Sequence, residues 1–353
     1  MGGRGTTIAE MRSRLFFTGV VLSAAAFLGA CGSTSPTAPR FVDVTGSAAL
    51  NAGVPLTLAA CAENASCLAL GTSAAAPSSV YLQTGRLGHA WKTLGLETHS
   101  TRILSPNAIS CGIDFCLIVG SQSTTVPAPL VWLVDPAKAQ QVDESSQLPS
   151  TGISSVSCTG HASCVAVVTT ALAGTAALFS TADRGVTWTA WGHVTPTAHS
   201  TIACASATTC VLVQSTTTAL TTALLTSDGG QTWQSIAPTQ GPLSSISCYL
   251  TACTALTPAP KGNTLVSLNL ANGTLTTVGA APSASISSVS CASALRCVAV
   301  GSSAAHGALL ERRDRHGWHI LTSQYLPAPM IAVNCSANAC IAWSASSVAL
   351  LRP

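Results

Sequence analysis

The sequence predicts an all-β fold, a β-propeller of seven four-stranded blades, and three observations predict it. Fourteen cysteines form seven pairs with partners five or six positions apart: Cys61/Cys67, Cys111/Cys116, Cys158/Cys164, Cys204/Cys210, Cys248/Cys253, Cys291/Cys297 and Cys335/Cys340. The first cysteines of successive pairs lie 50, 47, 46, 44, 43 and 44 residues apart, a steady long period that signals an array or a propeller. Each period carries four short strand-like runs, and the two ends of the chain lack complementary pieces of one unit.

Residues 1–30 read as an export signal, in which Arg12 and Arg14 precede an apolar run from Leu15 to Ala30. That run is short for a membrane span. It ends Leu28-Gly29-Ala30-Cys31, which resembles the lipobox of bacterial lipoproteins. The resemblance implies cleavage before Cys31, lipidation of its thiol and anchoring on the outer face of a bacterial cell membrane, extracellular or periplasmic. It also accounts for the fifteenth cysteine. Residues 31–40 are small, polar and twice interrupted by Pro, the composition of a tether. Residues 41–353 form the repeat domain.

Within each unit the first strand ends at the first cysteine and the second opens at the next, as in Cys297-Val-Ala-Val300. The third is an Ala/Leu-rich run such as Ala176-Ala-Leu-Phe179, and the fourth starts on a large apolar residue, Trp91, Trp188, Trp233 or Trp318. No apolar stripe holds a helical period for three turns, so a helical repeat is excluded. The seventh unit stops at Pro353 without a fourth strand, while Phe41-Val-Asp-Val44 precedes the first unit with no partner of its own. Strand 41–44 is expected to complete the last blade and close the ring, removing an open sheet edge.

Cysteines placed across a hairpin turn suit local disulfides, which export permits. Facing residues in an antiparallel pair should lie about 4.5–5.5 Å apart at Cα. A metal site would need C-x2-C spacing or cysteines joined by histidines. His161 is the only histidine inside any pair and C-x-x-C is absent, so no metal or other cofactor is expected. Positions 31–353 carry 12 Lys/Arg and 11 Asp/Glu, which provides no electrostatic footprint for nucleic acid.

Two turns between third and fourth strands carry a sharper pattern, Thr181-Ala-Asp183-Arg-Gly185-Val-Thr187-Trp188 and Thr226-Ser-Asp228-Gly-Gly230-Gln-Thr232-Trp233. These resemble the Asp-box of sialidase-like (BNR) repeats, and the chain as a whole resembles the WD40/YVTN/BNR propellers. The copy at Trp91 is degraded, with Arg86 in the Asp position, and 314–318 is a shorter relic. The resemblance implies a propeller with the boxes on the face opposite any catalytic one.

No Phe-Arg-Ile-Pro motif, G-x-S-x-G elbow or H-E-x-x-H is present. A glycosidase needs two facing carboxylates, and the scattered acids offer no obvious pair. The expected function is that of a non-catalytic, monomeric envelope lipoprotein. It would bind a protein or cell-surface glycan through a loop rim, with a glycan-active hydrolase as the alternative. Loops after the second and fourth strands should form that rim, the longest being 95–107 and 190–201. They carry His99, Arg102, His193 and His199, and 322–330 adds Tyr325. On the lipobox reading, Cys31→Ser expressed in a native-like host should move the protein from the membrane to the soluble fraction. Identical partitioning of the two forms would refute the anchor.

Overall fold

Each repeat folds as one antiparallel sheet because its apolar runs are short and separated by Gly, Ser, Asn and Asp turns. The computed structural model describes Val42–Asp43 and residues 54–351. Within that span it omits 73–78, 87–88, 99–102, 124–125, 139, 144–147, 149, 171–173, 216–220, 237–240, 260–261, 280–284, 294, 303–308, 315–316 and 321–328. All named elements are strands. The chain divides into two units, Met1–Ala38 and Pro39–Pro353, and the described residues belong to the second.

The strands assemble into seven four-stranded sheets. Their innermost strands are, in chain order, Leu56–Cys61, Ile103–Cys111, Gly152–Thr159, Thr201–Cys204, Ser244–Tyr249, Ser285–Ser293 and Ala332–Cys335. Numbering blades in that order, each innermost strand touches the next, and that of blade 7 touches that of blade 1. Seven apolar clusters fill the seven junctions. One joins Leu68, Leu70 and Leu82 of blade 1 to Ile118, Leu130 and Trp132 of blade 2. Another joins Ile341, Trp343 and Leu350 of blade 7 to Leu56, Ala59 and Ala69 of blade 1. A ring of six does not fit this topology, since it would leave one sheet and one junction unassigned. In the last blade Val42–Asp43 supplies the outermost strand, pairing Val42 with Leu350 and Asp43 with Ala349. Of the strand 41–44 expected, Phe41 and Val44 lie outside the described residues.

Second strands are buried along nearly their whole length, as in Ser66–Thr72 and Cys116–Ser123. Neighbouring blades cover both faces, so these strands read as continuous apolar runs rather than alternating ones. Three of them carry Gly four residues after the second cysteine, at Gly71, Gly120 and Gly301. Each faces a bulge in the first strand, and a Cβ there would lie 2.9, 2.1 or 1.9 Å from the carbonyl oxygen of Pro55, Ser105 or Ser285. The bulge and the glycine are one device.

The cysteine pairs are disulfides: Cys61–Cys67, Cys111–Cys116, Cys158–Cys164, Cys204–Cys210, Cys248–Cys253, Cys291–Cys297 and Cys335–Cys340. Their Cα atoms are 3.9–4.0 Å apart, which corrects the wider spacing expected from the sequence. The pairs sit at narrow positions of the ladder, where facing residues exchange no backbone hydrogen bond. The N–H of the first cysteine is thereby turned away from its own sheet. The neighbouring blade supplies the acceptor. Cys158 N–H donates to Ser110 Oγ (2.9 Å), Cys204 to Ser157 (2.9 Å), Cys291 to Ser247 (3.0 Å) and Cys335 to Ser290 (2.9 Å). Cys61 N–H donates to Asn334 Oδ1 (3.2 Å), closing the ring between blades 7 and 1. A second tier repeats the pattern two residues deeper, where Ile202, Val289 and Val333 donate to Ser155, Ser245 and Ser288 (3.2, 2.9 and 3.3 Å).

The acceptor is always the residue immediately before a first cysteine, or the one three before it. At two junctions the residue before the cysteine is Ala60 or Ala203, which has no acceptor to offer Cys111 or Cys248. Ser157→Ala should therefore lower unfolding free energy by about 0.5–1.5 kcal/mol, and Ala203→Ser should raise it by a similar amount. Denaturant midpoints at unchanged m-value check both. Indifference to both changes would remove the serines from the account of closure.

Candidate functional site

First-to-second hairpins and third-to-fourth turns lie on one face of the ring, since amides of the latter donate to carbonyls of the former. The pairs are Arg184 to Ala162, Gly229 to Thr208 and Leu270 to Thr251 (2.9, 3.0 and 3.0 Å). Around this face the hairpins also bond across blades. Glu63 and Asn64 N–H donate to Gly112 and Ile113 carbonyls (3.3 and 3.1 Å), and Ile113 N–H donates to that of Gly160 (2.9 Å). The hairpin face is therefore internally tied.

The two Asp-boxes share one hydrogen-bond plan. Thr181 Oγ1 accepts from the Gly185 amide (2.9 Å) and donates to Asp183 Oδ1 (2.7 Å). Asp183 in turn accepts from the amide (2.8 Å) and hydroxyl (2.5 Å) of Thr187. Trp188 Nε1 donates to the Gly185 carbonyl at 2.9 Å. Thr226, Asp228, Gly230, Thr232 and Trp233 repeat this arrangement. Gly185 and Gly230 have φ of +94° and +82°, which is why glycine is required there. In the degraded copies, the buried Nε1 atoms of Trp91 and Trp318 have no partner among the described residues. The tryptophans of the boxes precede the fourth strands rather than opening them.

The preceding residue is also left-handed, and in blade 3 it is Arg184 (φ +64°). Its side chain donates to the His161 carbonyl (2.9 Å), pairs with Asp114 (3.1 Å) and covers the Phe115 ring at 5.3 Å. Arg184 thus fastens blade 3 to the hairpin of blade 2. In blade 4 Trp233 meets Trp191 of blade 3 edge-to-face, with ring centroids 5.9 Å apart.

The central channel opens on the hairpin face with a volume of about 390 Å³. Its wall is made of innermost strands, where Cys111, Cys158, Ser157, Ser247 and backbone predominate. The fourteen bridged cysteines, alike in the sequence, divide here into two sets. Cys61, Cys111, Cys158, Cys204, Cys248, Cys291 and Cys335 end innermost strands and line the channel. Their partners Cys67, Cys116, Cys164, Cys210, Cys253, Cys297 and Cys340 do not reach it. Those seven lie on second strands, one strand outward, and are fully buried inside the blades. Each bridge thus ties the channel wall to the blade interior. Glu63 is the one carboxylate among the described lining residues. No group of three His, Cys, Asp or Glu that could hold a metal occurs among the described residues.

The proposed rim residues separate in the fold. His193 and His199 are both exposed, on the segment after the two-residue strand Thr189–Ala190. Because that strand stops early, the segment runs along the height of blade 3. Gly192, beside His193, packs on the backbone of Gly230 in the hairpin-face Asp-box of blade 4. Ala198 N–H, beside His199, donates to Gly174 (3.2 Å) at the other end of the blade. Only His199 is placed at the rim opposite the hairpins. The expected loop 95–107 is largely strand, since Lys92–Thr98 and Ile103–Cys111 take up most of it. His99, Arg102 and Tyr325 lie outside the described residues, as does Cys31.

The Thr232 hydroxyl and amide, followed by the Thr226 hydroxyl, hold the Asp228 carboxyl down at about 2. Asp183 is also lowered; its slight burial works against this, and the bonds from Thr187 and Thr181 outweigh it. A depressed carboxylate contributes stability above its ordinary pKa, about 3.9, and for Asp228 that contribution is lost as pH falls through about 2. Thr232→Val should raise the midpoint of Asp228 toward the ordinary value, read by carboxyl-carbon NMR titration. An unmoved midpoint would show that the hydroxyl is not the cause.

No protein-family model matches the chain, and no curated protein matches it. Solved structures do match. A structure described as YCF48 bound to D1 peptide superposes with TM-score 0.58 at 12% identity, over 90% of this chain and 96% of that one. YCF48 from Cyanidioschyzon merolae gives 0.57 at 14%, over 89% and 98%. The GH74 xyloglucanase from Xanthomonas campestris gives 0.57 at 12%, over 88% of this chain and 53% of that one. WD40 repeats of RRP9 give 0.55 at 10%, over 90% and 98%. At these identities the likeness establishes the fold alone, a β-propeller similar in architecture to those of WD40 and YCF48 proteins.

Proposed function

We propose that the chain is a non-catalytic, lipid-anchored envelope protein whose propeller is a rigid platform holding a protein or glycan on the rim opposite the cysteine hairpins. The observation that carries this reading is the chemistry of the channel. Glu63 stands alone among the described lining residues, against a wall of Ser, Cys, Ala and backbone. A two-carboxylate hydrolysis would have to bring its second carboxylate from outside those residues, within about 5–10 Å of the first. The tied hairpin face leaves the other rim to carry the longer loops, which are the usual bearers of binding in such folds. A propeller of the same fold, YCF48, is described as bound to a peptide.

The test is quantitative capture from envelope extracts, with a glycan array in parallel. Changing His99, Arg102 and His199 together should weaken the captured interaction at least tenfold, about 1.4 kcal/mol, while His193→Ala should leave it unchanged. Equal loss with both variants, or turnover of a glycan without any capture, would overturn the platform reading.

A further inference from the structure

The hairpin of blade 5 contains an anomaly. Leu250, two residues after Cys248, has φ +47° and is 67% exposed. At the equivalent position of blade 3, two residues after Cys158, stands Gly160 with φ +63°. A bulky side chain in the left-handed region is disfavoured, and hairpin turns of this kind favour Gly or Asn. Exposing a leucine there adds a second cost with no folding benefit. The adjacent hairpin, in blade 6, presents another exposed leucine, Leu295 at 52%. Two neighbouring hairpins therefore hold large apolar side chains off the same face.

The course of the chain links that face to the N-terminus. Val42 pairs with Leu350 and Asp43 with Ala349, while Leu351 pairs with Cys340 at the hairpin end of blade 7. The outermost strand of blade 7 therefore starts nearer the hairpin face and runs away from it. Val42 itself thus lies toward the hairpin side of blade 7, the blade next to blade 6. Eleven residue steps separate Cys31 from Val42, a reach of at most ~40 Å at about 3.6 Å per residue. A tether of that length alone would let the body settle on either face. The opposite rim also exposes Ile103, Val126 and Ile331, but none of these is held in a left-handed backbone as Leu250 is, and that strained leucine decides between the faces.

We propose that the cysteine-hairpin face is turned to the lipid bilayer and rests on it through Leu250 and Leu295. The inference rests on the lipid-anchor reading of Cys31. Its chemistry suits an interface, since exposed leucines gain by entering the acyl boundary. Part of the charge on the face is also matched internally, Arg184 with Asp114 and each box aspartate with its threonines. The arrangement closes the channel mouth against the membrane and presents the opposite rim outward.

The experiment is hydrogen exchange on the full lipidated protein in phosphatidylethanolamine/phosphatidylglycerol vesicles, against soluble Cys31→Ser protein. The reference is a Leu250→Gly, Leu295→Ser double variant in the same vesicles. Leu250→Gly installs the residue blade 3 already uses, and an unchanged melting temperature verifies the fold. Amides at 249–252 and 295–297 should be protected in vesicles, those at 198–200 should not, and the double variant should lose the protection while remaining vesicle-bound. Protection at 198–200 instead, or equal exchange everywhere in a vesicle-bound protein, overturns the orientation and leaves the anchor standing. An N-terminal peptide of unlipidated mass and no vesicle association overturns the anchor, and the orientation with it.

Discussion

The ring depends on one hydrogen bond, repeated from blade to blade: the N–H of a hairpin cysteine donating to the side chain that precedes the hairpin cysteine of the neighbouring blade. The narrow ladder position makes that bond available, and the disulfide fixes the position. An amide at such a position is turned away from its own sheet toward the neighbouring blade, and a donor left without an acceptor where water is excluded costs about 1–3 kcal/mol. Serine one residue before the next cysteine is the smallest side chain that answers it. The covalent bridge, the strand register and the blade-to-blade spacing are thus one arrangement. The disulfides act within blades, yet their effect reaches across them.

The same economy appears on the hairpin face. Each intact Asp-box satisfies most of its own turn with two threonines, an aspartate and an indole N–H, and sends one amide, that of Arg184 or Gly229, to the hairpin of its own blade. The Arg184 side chain reaches further. The residue occupies a left-handed position at some conformational cost and offsets that cost by bonding to His161 and Asp114 on two different blades. A face tied together in this way presents a fixed surface, and side chains that point out of it are held in place rather than folded back.

Much of this architecture is legible in the residues themselves, because a cysteine pair recurring every 43 to 50 positions fixes both the unit and its hairpin. The complementary ends likewise reveal the closing strand through Phe41-Val-Asp-Val44 and the missing partner of Val348–Leu351. What the residue order conceals is direction. Ser157 and Ser247 read as small channel-lining residues, since nothing in their spacing says that the next blade's cysteine amide points at them. Cys158 and Cys164 likewise read as equals, although one faces the channel and the other the blade interior. His193 and His199 share one segment and read as one rim. They part because the strand before them is two residues long and leaves the segment to descend the blade. Leu250 looks like an ordinary turn residue until its backbone angle is compared with that of Gly160.

The junctions are not alike in kind. Most combine an apolar cluster with serine, asparagine or backbone bonds. The one between blades 4 and 5, where Ala203 replaces the acceptor, is held among the described residues by its apolar cluster, from Val211 and Leu225 to Ala255 and Val266. Apolar attraction weakens on cooling, whereas hydrogen bonds do not share that dependence. The ring accordingly has a thermal weak point on its cold side. In a closed circle that looks uniform at room temperature, this junction should lose the most on cooling, and the bonds that close blade 7 onto blade 1 should outlast it.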